Sequence, residues 1–134
     1  MNDLHFVLRA VELLSARGIR AWVFGSWAEE LRGLCPPCEH ERLDLLYPAR
    51  DWARVDRLEL EWAKERERPW RRSFFLEGTR VVLFLVERDD RGWYTQLERR
   101  RHEWPDDVFS TNGTVAVVSA AALAGYGAAR RRAA

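Results

Sequence analysis

An apolar strand that runs directly into a turn of small residues is the feature that most restricts how this chain can fold. The apolar segment 19–24 ends at Gly25-Ser26, and the apolar residues after that turn recur at helical spacing. Before the strand, apolar residues at three- and four-residue spacing predict an amphipathic helix over 3–17 that ends at Gly18. The chain therefore begins with a helix, a strand, a tight turn and a second helix.

The rest of the sequence indicates mostly strands. Helical spacing from Asp51 to Pro69 predicts one further helix, and Ser119 is placed to cap a last one. Strands are predicted over 43–47, 72–76, 79–87, 93–97 and 115–118. Because 134 residues are about one compact domain, we expect a single α/β (α+β) domain over 1–134, with a mixed sheet flanked by helices.

The overall composition excludes several classes of protein. The net charge is +1 although 32% of the residues are charged, so we find no strong nucleic-acid signal. No apolar run reaches the roughly 18 residues of a membrane span, and Asp3, Arg9 and Glu12 interrupt what would otherwise be a signal peptide. We therefore expect a cytoplasmic protein that does not interact with membranes.

Two segments resemble the motifs of a known superfamily. The first is Gly25-Ser26-Trp27-Ala28-Glu29-Glu30 followed by Gly33, and the second is Cys38-Glu39-His40-Glu41-Arg42-Leu43-Asp44. They are similar in sequence and separation to Gly-Gly-Trp-Ala-x-Asp and Arg-x-His-x-Asp-x-Asp of the nucleotidyltransferase superfamily, in its lincosamide and aminoglycoside branch. The resemblance implies a nucleotidyltransferase-like mixed sheet.

The resemblance also implies roles for individual residues. In such enzymes the small-residue turn holds nucleotide phosphates, helped by the start of the following helix. Two carboxylates at positions i and i+2 of one strand bind divalent metal ions. The implied nucleotide-binding residues here are Gly25, Ser26, Trp27, His40 and Arg42, and the implied catalytic and metal-binding residue is Asp44.

This chain departs from that pattern at its carboxylates. Arg42 stands where the first acid of the pair is expected, and the apolar strand 80–86 contains no acid that could act as a base. Arg42 and Asp44 should lie about 7 Å apart on one strand face, where the guanidinium can take the place of a metal charge. Because Mg²⁺ prefers several oxygen ligands, we expect it as a cofactor only if activity is retained.

Three hypotheses for function follow. The first is a protein that has lost or nearly lost nucleotidyl transfer and acts as a nucleotide-binding, small-molecule-binding or regulatory module. The second is an active enzyme that transfers a nucleotidyl group from a nucleoside triphosphate to a small-molecule acceptor, with Asp44 on one metal ion, Ser26 on phosphate, and Glu39 or Glu41 supplying an acid. The third is a protein-interaction domain that could form a homodimer through an exposed sheet edge.

Two further segments allow both a functional and a plain interpretation. Cys35-Pro36-Pro37-Cys38 with His40 has the spacing of a zinc knuckle or a redox pair, but no second such pair is present. We favour two ordinary thiols, and the sequence leaves metal binding and a disulfide open. The tail Arg130–Arg132 could contact a phosphate, although a helix C-terminus explains it without a ligand.

Overall fold

The computed structural model describes residues 2–64 and 68–133. The first helix, α1 (Leu4–Ala16), begins at Asp3, whose carboxylate accepts a hydrogen bond from the Phe6 N–H at 2.9 Å. It ends before Gly18, which has the left-handed φ of 81°. The helix predicted over 3–17 is therefore confirmed.

The remaining elements form one mixed sheet with two further helices. The helices are α2 (Gly25–Leu31) and α3 (Ala120–Ala133). The strands are β1 (Trp22–Phe24), β2 (Arg42–Pro48), β3 (Glu61–Trp62), β4 (Arg71–Leu76), β5 (Thr79–Asp89), β6 (Gly92–Gln96), β7 (Arg101–Glu103), β8 (Phe109–Asn112) and β9 (Val115–Val118). This architecture confirms the predicted α+β class with a mixed sheet flanked by helices.

The order of the strands places β2 in the middle of the sheet. The described strands follow one another as β3-β4-β5-β2-β1-β9-β8, and β6 pairs with both β5 and β7. Strand β2 runs parallel to β5 and antiparallel to β1, while β1 runs parallel to β9. The start of β2, which carries Arg42 and Asp44, therefore lies next to the end of β1 and the start of β5.

The hydrophobic core explains why these segments form regular elements. Helix α1 buries the residues of its apolar stripe, Phe6, Val7, Ala10 and Leu14. Strands β2 and β5 are mostly buried, as expected for the centre of a sheet. None of the described helices combines the length and apolar character that a bilayer crossing requires.

The helix predicted from Asp51 to Pro69 is wrong over its described part. That segment forms a short 3₁₀ turn at Val55–Arg57 and then the edge strand β3, which pairs with β4. Its apolar residues recur at helical spacing because Trp52 and Val55 face the core from the turn, and the Trp52 indole N–H donates to the Pro69 carbonyl at 2.8 Å. Residues 65–67 of the prediction lie outside the described residues.

Besides β3, two of the described strands were not predicted. Strand β8 pairs with β9 around the turn at Gly113, and β7 continues the β5–β6 hairpin. Both are short, with three residues in β7 and four in β8. Such short strands show little alternation of apolar and polar residues, so their pairing with a neighbouring strand determines that they form.

Candidate functional site

The predicted site residues lie where β1, β2 and β5 meet. Paired residues of adjacent strands share one sheet face, and Asp44 pairs with Phe24 of β1 and Val82 of β5. Two residues earlier, on the same face, Arg42 lies beside Arg80. On this face the strand predicted to lack an acid indeed presents arginine and apolar side chains next to Asp44.

Arg42 and Asp44 form the predicted ion pair. Arg42 Nε lies 2.9 Å from Asp44 Oδ1, although the contact is not directed as a hydrogen bond. The Asp44 side chain is 12% exposed and that of Arg42 is 47% exposed. Burial raises the pKa of the Asp44 carboxyl above its ordinary 3.8, and nearby Arg42, Arg80 and Arg71 act in the opposite direction.

Gly25 allows the turn to approach this carboxylate. Its φ is 67°, in the left-handed region, and a Cβ added there would lie 2.8 Å from Asp44 Oδ2. A larger residue would collide with Asp44 and would also strain the backbone. The glycine of the predicted turn is therefore required by its contact with Asp44, and not only by chain reversal.

A cleft of about 280 Å³ opens beside this contact. Gly25, Ser26, Arg42 and Asp44 line it, so four of the six predicted site residues share one cavity. The other side chains that line it come from α2, β1, β5 and α3, and they are Glu29, Phe24, Phe84, Leu123, Tyr126 and Arg130, with Gly127. Arg130 is the tail residue for which the sequence offered a contact with phosphate as one interpretation.

The donor set of the cleft does not fit Mg²⁺. In the described part of the chain, the acidic residues that line it are Asp44 and Glu29. Asp44 is already paired with Arg42, and Val82 and Phe24 flank it on the sheet. Because Mg²⁺ requires near-octahedral oxygen ligands, Asp44 held against a guanidinium and the exposed Glu29 of α2 together make a poor site for it.

The other two predicted residues, Trp27 and His40, pack beside the cleft and are not among the residues that line it. Their rings stack at 4.1 Å, and the Trp27 indole N–H donates to Asn2 Oδ1 at 2.9 Å. His40 Nδ1 lies 2.9 Å from Ser26 Oγ, and His40 Nε2 lies 2.9 Å from Glu30 Oε1. His40 thus connects the turn to the far end of α2.

Sequence reasoning assigned no role to Glu29 and Glu30, although both belong to the first motif, and it missed Tyr126. Glu30 is four residues after Ser26, so both lie on one face of α2. His40 contacts both of them, and the four-residue spacing is the sequence signal that could have placed Glu30 beside His40. The acids that the sequence offered as substitutes, Glu39 and Glu41, are exposed and do not line the cleft.

A larger and more open groove of about 720 Å³ lies at the opposite end of β2. Arginines and aromatic rings line it, among them Arg50, Arg54 and Trp93. It contains none of the predicted site residues. We therefore take the smaller cleft at Asp44 as the candidate site, because four predicted site residues line it, although the other groove has the larger volume.

Comparison with known proteins gives similarity in structure only. No protein-family model and no curated protein sequence matches this chain significantly. The structure of the lincosamide antibiotic adenylyltransferase LnuA with lincomycin bound is similar, with a TM-score of 0.68 at 15% identity over 87% of this chain and 80% of that one.

Two further structures have the same architecture. A candidate nucleotidyltransferase from Thermotoga maritima gives a TM-score of 0.60 at 15% identity over 97% of this chain and 88% of that one. ANT(2")-Ia in complex with adenylyl-2"-tobramycin gives 0.55 at 18% identity over 90% and 69%. At such identities the likeness concerns the fold, and it confirms the prediction made from the two motifs: this chain has the nucleotidyltransferase fold.

Proposed function

We propose that the cleft at Asp44 binds a phosphate-bearing anion, a nucleoside triphosphate, in a binding or regulatory role without metal-dependent nucleotidyl transfer. One observation carries the proposal. Arg42 occupies the position of the first metal-binding carboxylate and lies 2.9 Å from the second, Asp44. A fixed positive charge therefore stands where a metal ion would be needed.

The charges around the cleft favour an anion. Arg42 and Arg130 line it, and Arg71 and Arg80 are close enough to lower the pKa of Asp44 by their charge. Guanidinium groups bind phosphate oxygens with two parallel hydrogen bonds and stay charged at all relevant pH values. Because α2 has only seven residues, we attribute anion binding to these guanidinium groups and not to the field of the helix.

The dimensions of the cleft limit what it can hold. Its volume of about 280 Å³ is at the lower end of the roughly 300–1,000 Å³ usual for ligand pockets. The aromatic rings of Phe84 and Tyr126 line it beside Arg130, and such rings can stack on a base. We infer space for the phosphates and part of a nucleoside, but not for a nucleotide together with a second substrate.

The composition of β5 beside Asp44 supports the loss of catalysis in this proposal. The β5 residues nearest to Asp44 on its face of the sheet are Arg80, Val82 and Phe84, and none can accept a proton from an attacking hydroxyl. The similar structures of LnuA and ANT(2")-Ia contain an antibiotic and an adenylylated antibiotic. A small-molecule acceptor for this chain remains an alternative that retained activity would support.

The test is calorimetric titration of ATP, GTP, CTP and UTP, each with Mg²⁺ and with a chelator. We expect binding that does not depend on Mg²⁺ and that Arg42→Gln weakens by about tenfold, the equivalent of one strong charged contact. Asp44→Asn should strengthen binding because it removes a negative charge from the cleft. A metal-dependent enzyme would show the opposite, since Asp44→Asn would remove its metal ligand.

A matched control is Arg50→Gln, which removes the same charge at the opposite end of β2 and should leave nucleotide affinity unchanged. Binding that requires Mg²⁺ and disappears in Asp44→Asn would overturn the proposal in favour of an active enzyme. No binding under any condition would leave this chain with the fold alone.

A homodimer is a second candidate because of two exposed leucines. Leu4 and Leu8 are 43% and 38% exposed and lie one helical turn apart on α1. Sedimentation velocity of the wild type and of a Leu4→Ser, Leu8→Ser variant tests this. A dimer that the variant converts to a monomer would support it, and a monomeric wild type would exclude it.

A further inference from the structure

Three different metal-binding groups come together where the end of α2, with Glu30, meets the loop before β2, with Cys38 and His40. His40 Nε2 lies 2.9 Å from Glu30 Oε1 and 3.8 Å from Cys38 Sγ. One potential ligand atom from each of the three residues lies within 4.8 Å of the other two. The group is separate from the Asp44 cleft, whose lining residues include none of the three.

The spacing of these atoms fits a tetrahedral ion. With zinc bonds of about 2.0 Å to nitrogen or oxygen and about 2.3 Å to sulfur, two ligand atoms of a tetrahedral site are roughly 3.3–3.6 Å apart. The observed separations of 2.9 and 3.8 Å lie within about half an ångström of that range. The third separation, between Glu30 and Cys38, is within 4.8 Å, so side-chain movements of roughly an ångström would bring the three atoms to tetrahedral spacing.

We propose that Glu30, Cys38 and His40 bind a Zn²⁺ ion, with water at the fourth position. A thiolate, an imidazole and a carboxylate form a mixed donor set that suits zinc, whereas Mg²⁺ requires oxygen ligands. Cys35, the other thiol of the loop, does not belong to the group of close ligand atoms among the described residues. The assignment thus differs from a knuckle formed by both cysteines.

The protein already holds two of the ligands in place. The His40 side chain is 1% exposed, its ring stacks on Trp27, and its Nδ1 contacts Ser26 Oγ. Glu30 Oε1 accepts a hydrogen bond from the Cys38 backbone N–H at 3.0 Å. For His40 the Ser26 contact orients the ligand through its second ring nitrogen, as is typical of metal sites. For Glu30 the hydrogen bond goes to Oε1, the same oxygen that faces His40.

Metal binding should shift a proton on His40. Without metal, the Glu30 carboxylate can only accept, so Nε2 carries the hydrogen and Nδ1 accepts from the Ser26 hydroxyl. A metal ion needs the lone pair of Nε2, so the neutral ring must carry its hydrogen on Nδ1 and donate it to Ser26 Oγ. Cys38 loses its thiol proton to solvent.

The experiment uses the reduced, full-length protein after metal removal, titrated with Zn²⁺ against a chromophoric chelator. We expect one ion per chain and at least a tenfold loss of zinc affinity in Cys38→Ser and in Glu30→Gln. The matched controls Cys35→Ser and Glu29→Gln should stay within about twofold of the wild type. Circular dichroism of each variant confirms that it is folded.

Two readouts report the ligands directly. Co²⁺ in place of Zn²⁺ should give thiolate charge-transfer absorption and the strong visible bands of a tetrahedral site, and Cys38→Ser should remove the former. Nitrogen chemical shifts of His40 should change from the Nε2–H to the Nδ1–H tautomer when zinc is added. No zinc binding by the wild type, an equal loss in Cys35→Ser, or an unchanged tautomer would each overturn the proposal.

Discussion

Two carboxylates near the turn at Gly25, Asp44 of β2 and Glu30 of α2, have opposite surroundings. Asp44 lies between the apolar residues Phe24 and Val82, and its contact with Arg42 is close but not directed as a hydrogen bond. Glu30 accepts two directed hydrogen bonds, from the Cys38 backbone N–H and from His40. Burial raises the pKa of Asp44, whereas those two bonds, the one from Cys38 first, lower the pKa of Glu30 below its ordinary 4.5.

The comparison shows that nearby positive charge does not by itself make a buried carboxylate favourable. Three arginines lie near enough to Asp44 to lower its pKa, yet desolvation has the larger effect and raises it. Directed donors stabilise Glu30 without any arginine. The two regions therefore suit ligands of opposite charge: the arginine-rich cleft suits an anion, and the cluster of Glu30, Cys38 and His40 suits a cation.

The largest expected effect is that of Gly25→Ala. The added Cβ would lie 2.8 Å from Asp44 Oδ2 in a residue with φ of 67°, and we expect a loss of roughly 3 kcal/mol in the free energy of unfolding. Urea denaturation measures it. The substitution tests whether the cleft is built around the approach of the turn to Asp44.

Gly33→Ala is the matched control. Gly33 has a similar φ of 71° but nothing within 4 Å of an added Cβ, so only the left-handed conformation costs energy, about 1 kcal/mol. Combining Gly25→Ala with Asp44→Ala should recover part of the loss, since the collision disappears. Equal losses for the two glycines would show that the Asp44 contact does not matter.

Arg42→Asp should reverse the charge preference of the cleft. It places a second carboxylate two residues before Asp44 on the same face of β2, an arrangement that can bind divalent cations. We expect Mg²⁺ to raise the nucleoside triphosphate affinity of this variant by about tenfold, measured by calorimetry, whereas the wild type shows no Mg²⁺ dependence.

Arg50→Asp makes the same charge change outside the cleft and should not create a response to Mg²⁺. If Arg42→Asp stays indifferent to Mg²⁺, then features other than the missing carboxylate prevent metal binding, and β5 becomes the next region to change.

Asp44→Asn and Glu30→Gln should change stability in opposite directions at neutral pH. The first removes a buried charge while exposed Arg42 stays solvated, so we expect a gain of about 1 kcal/mol in the free energy of unfolding. The second weakens two charge-assisted hydrogen bonds, so we expect a loss of about 1 kcal/mol. Urea denaturation of the two variants against the wild type measures both, and changes of the same sign would contradict the comparison.

The pH dependence of stability follows from the same two shifts. Because the folded pKa of Asp44 is raised above 3.8, its contribution to stability falls as the pH rises from that value through the folded pKa. The folded pKa of Glu30 is lowered from 4.5, so its contribution is present above that value and is lost as the pH falls through the folded pKa. Urea denaturation between about pH 3 and 7 should show that Asp44→Asn abolishes the first pH dependence of the free energy of unfolding and that Glu30→Gln abolishes the second.

Ser26→Ala should have the smallest effect. Ser26 is exposed on the cleft side, and its hydroxyl contacts His40 Nδ1 at 2.9 Å, so we expect a loss of about 0.5–1 kcal/mol in the free energy of unfolding. Ser15→Ala, an exposed serine of α1, is the control. A loss of more than about 2 kcal/mol would mean that Ser26 and His40 stabilise the two regions jointly.

The sequence by itself determined the elements whose signals are local. Apolar spacing, the Asp3 cap and Gly18 defined α1, and the apolar segment before Gly25 defined β1 and the start of α2. The two-residue spacing of Arg42 and Asp44 predicted their ion pair, because alternate residues of a strand share a face. The absence of an acid from segment 80–86 of β5, the part beside the start of β2, could be read directly from the sequence.

Other parts depended on pairing between distant segments. From Asp51 onward, the spacing that predicted a helix instead reflects residues that face the core from a 3₁₀ turn and an edge strand bound to β4. Strands β7 and β8 were too short to show a period, and their hydrogen bonds to β6 and β9 define them.

The site itself was decided by tertiary structure. Arg130 of α3, the helix that follows β9, lines the cleft. Gly25, which follows the end of the neighbouring strand β1, approaches Asp44 closely. Glu30 and His40 meet because α2 and the loop before β2 pack together. Spacing in sequence places side chains on one element, but only the packing of separate elements sets the distances between them and the desolvation that changes their charge.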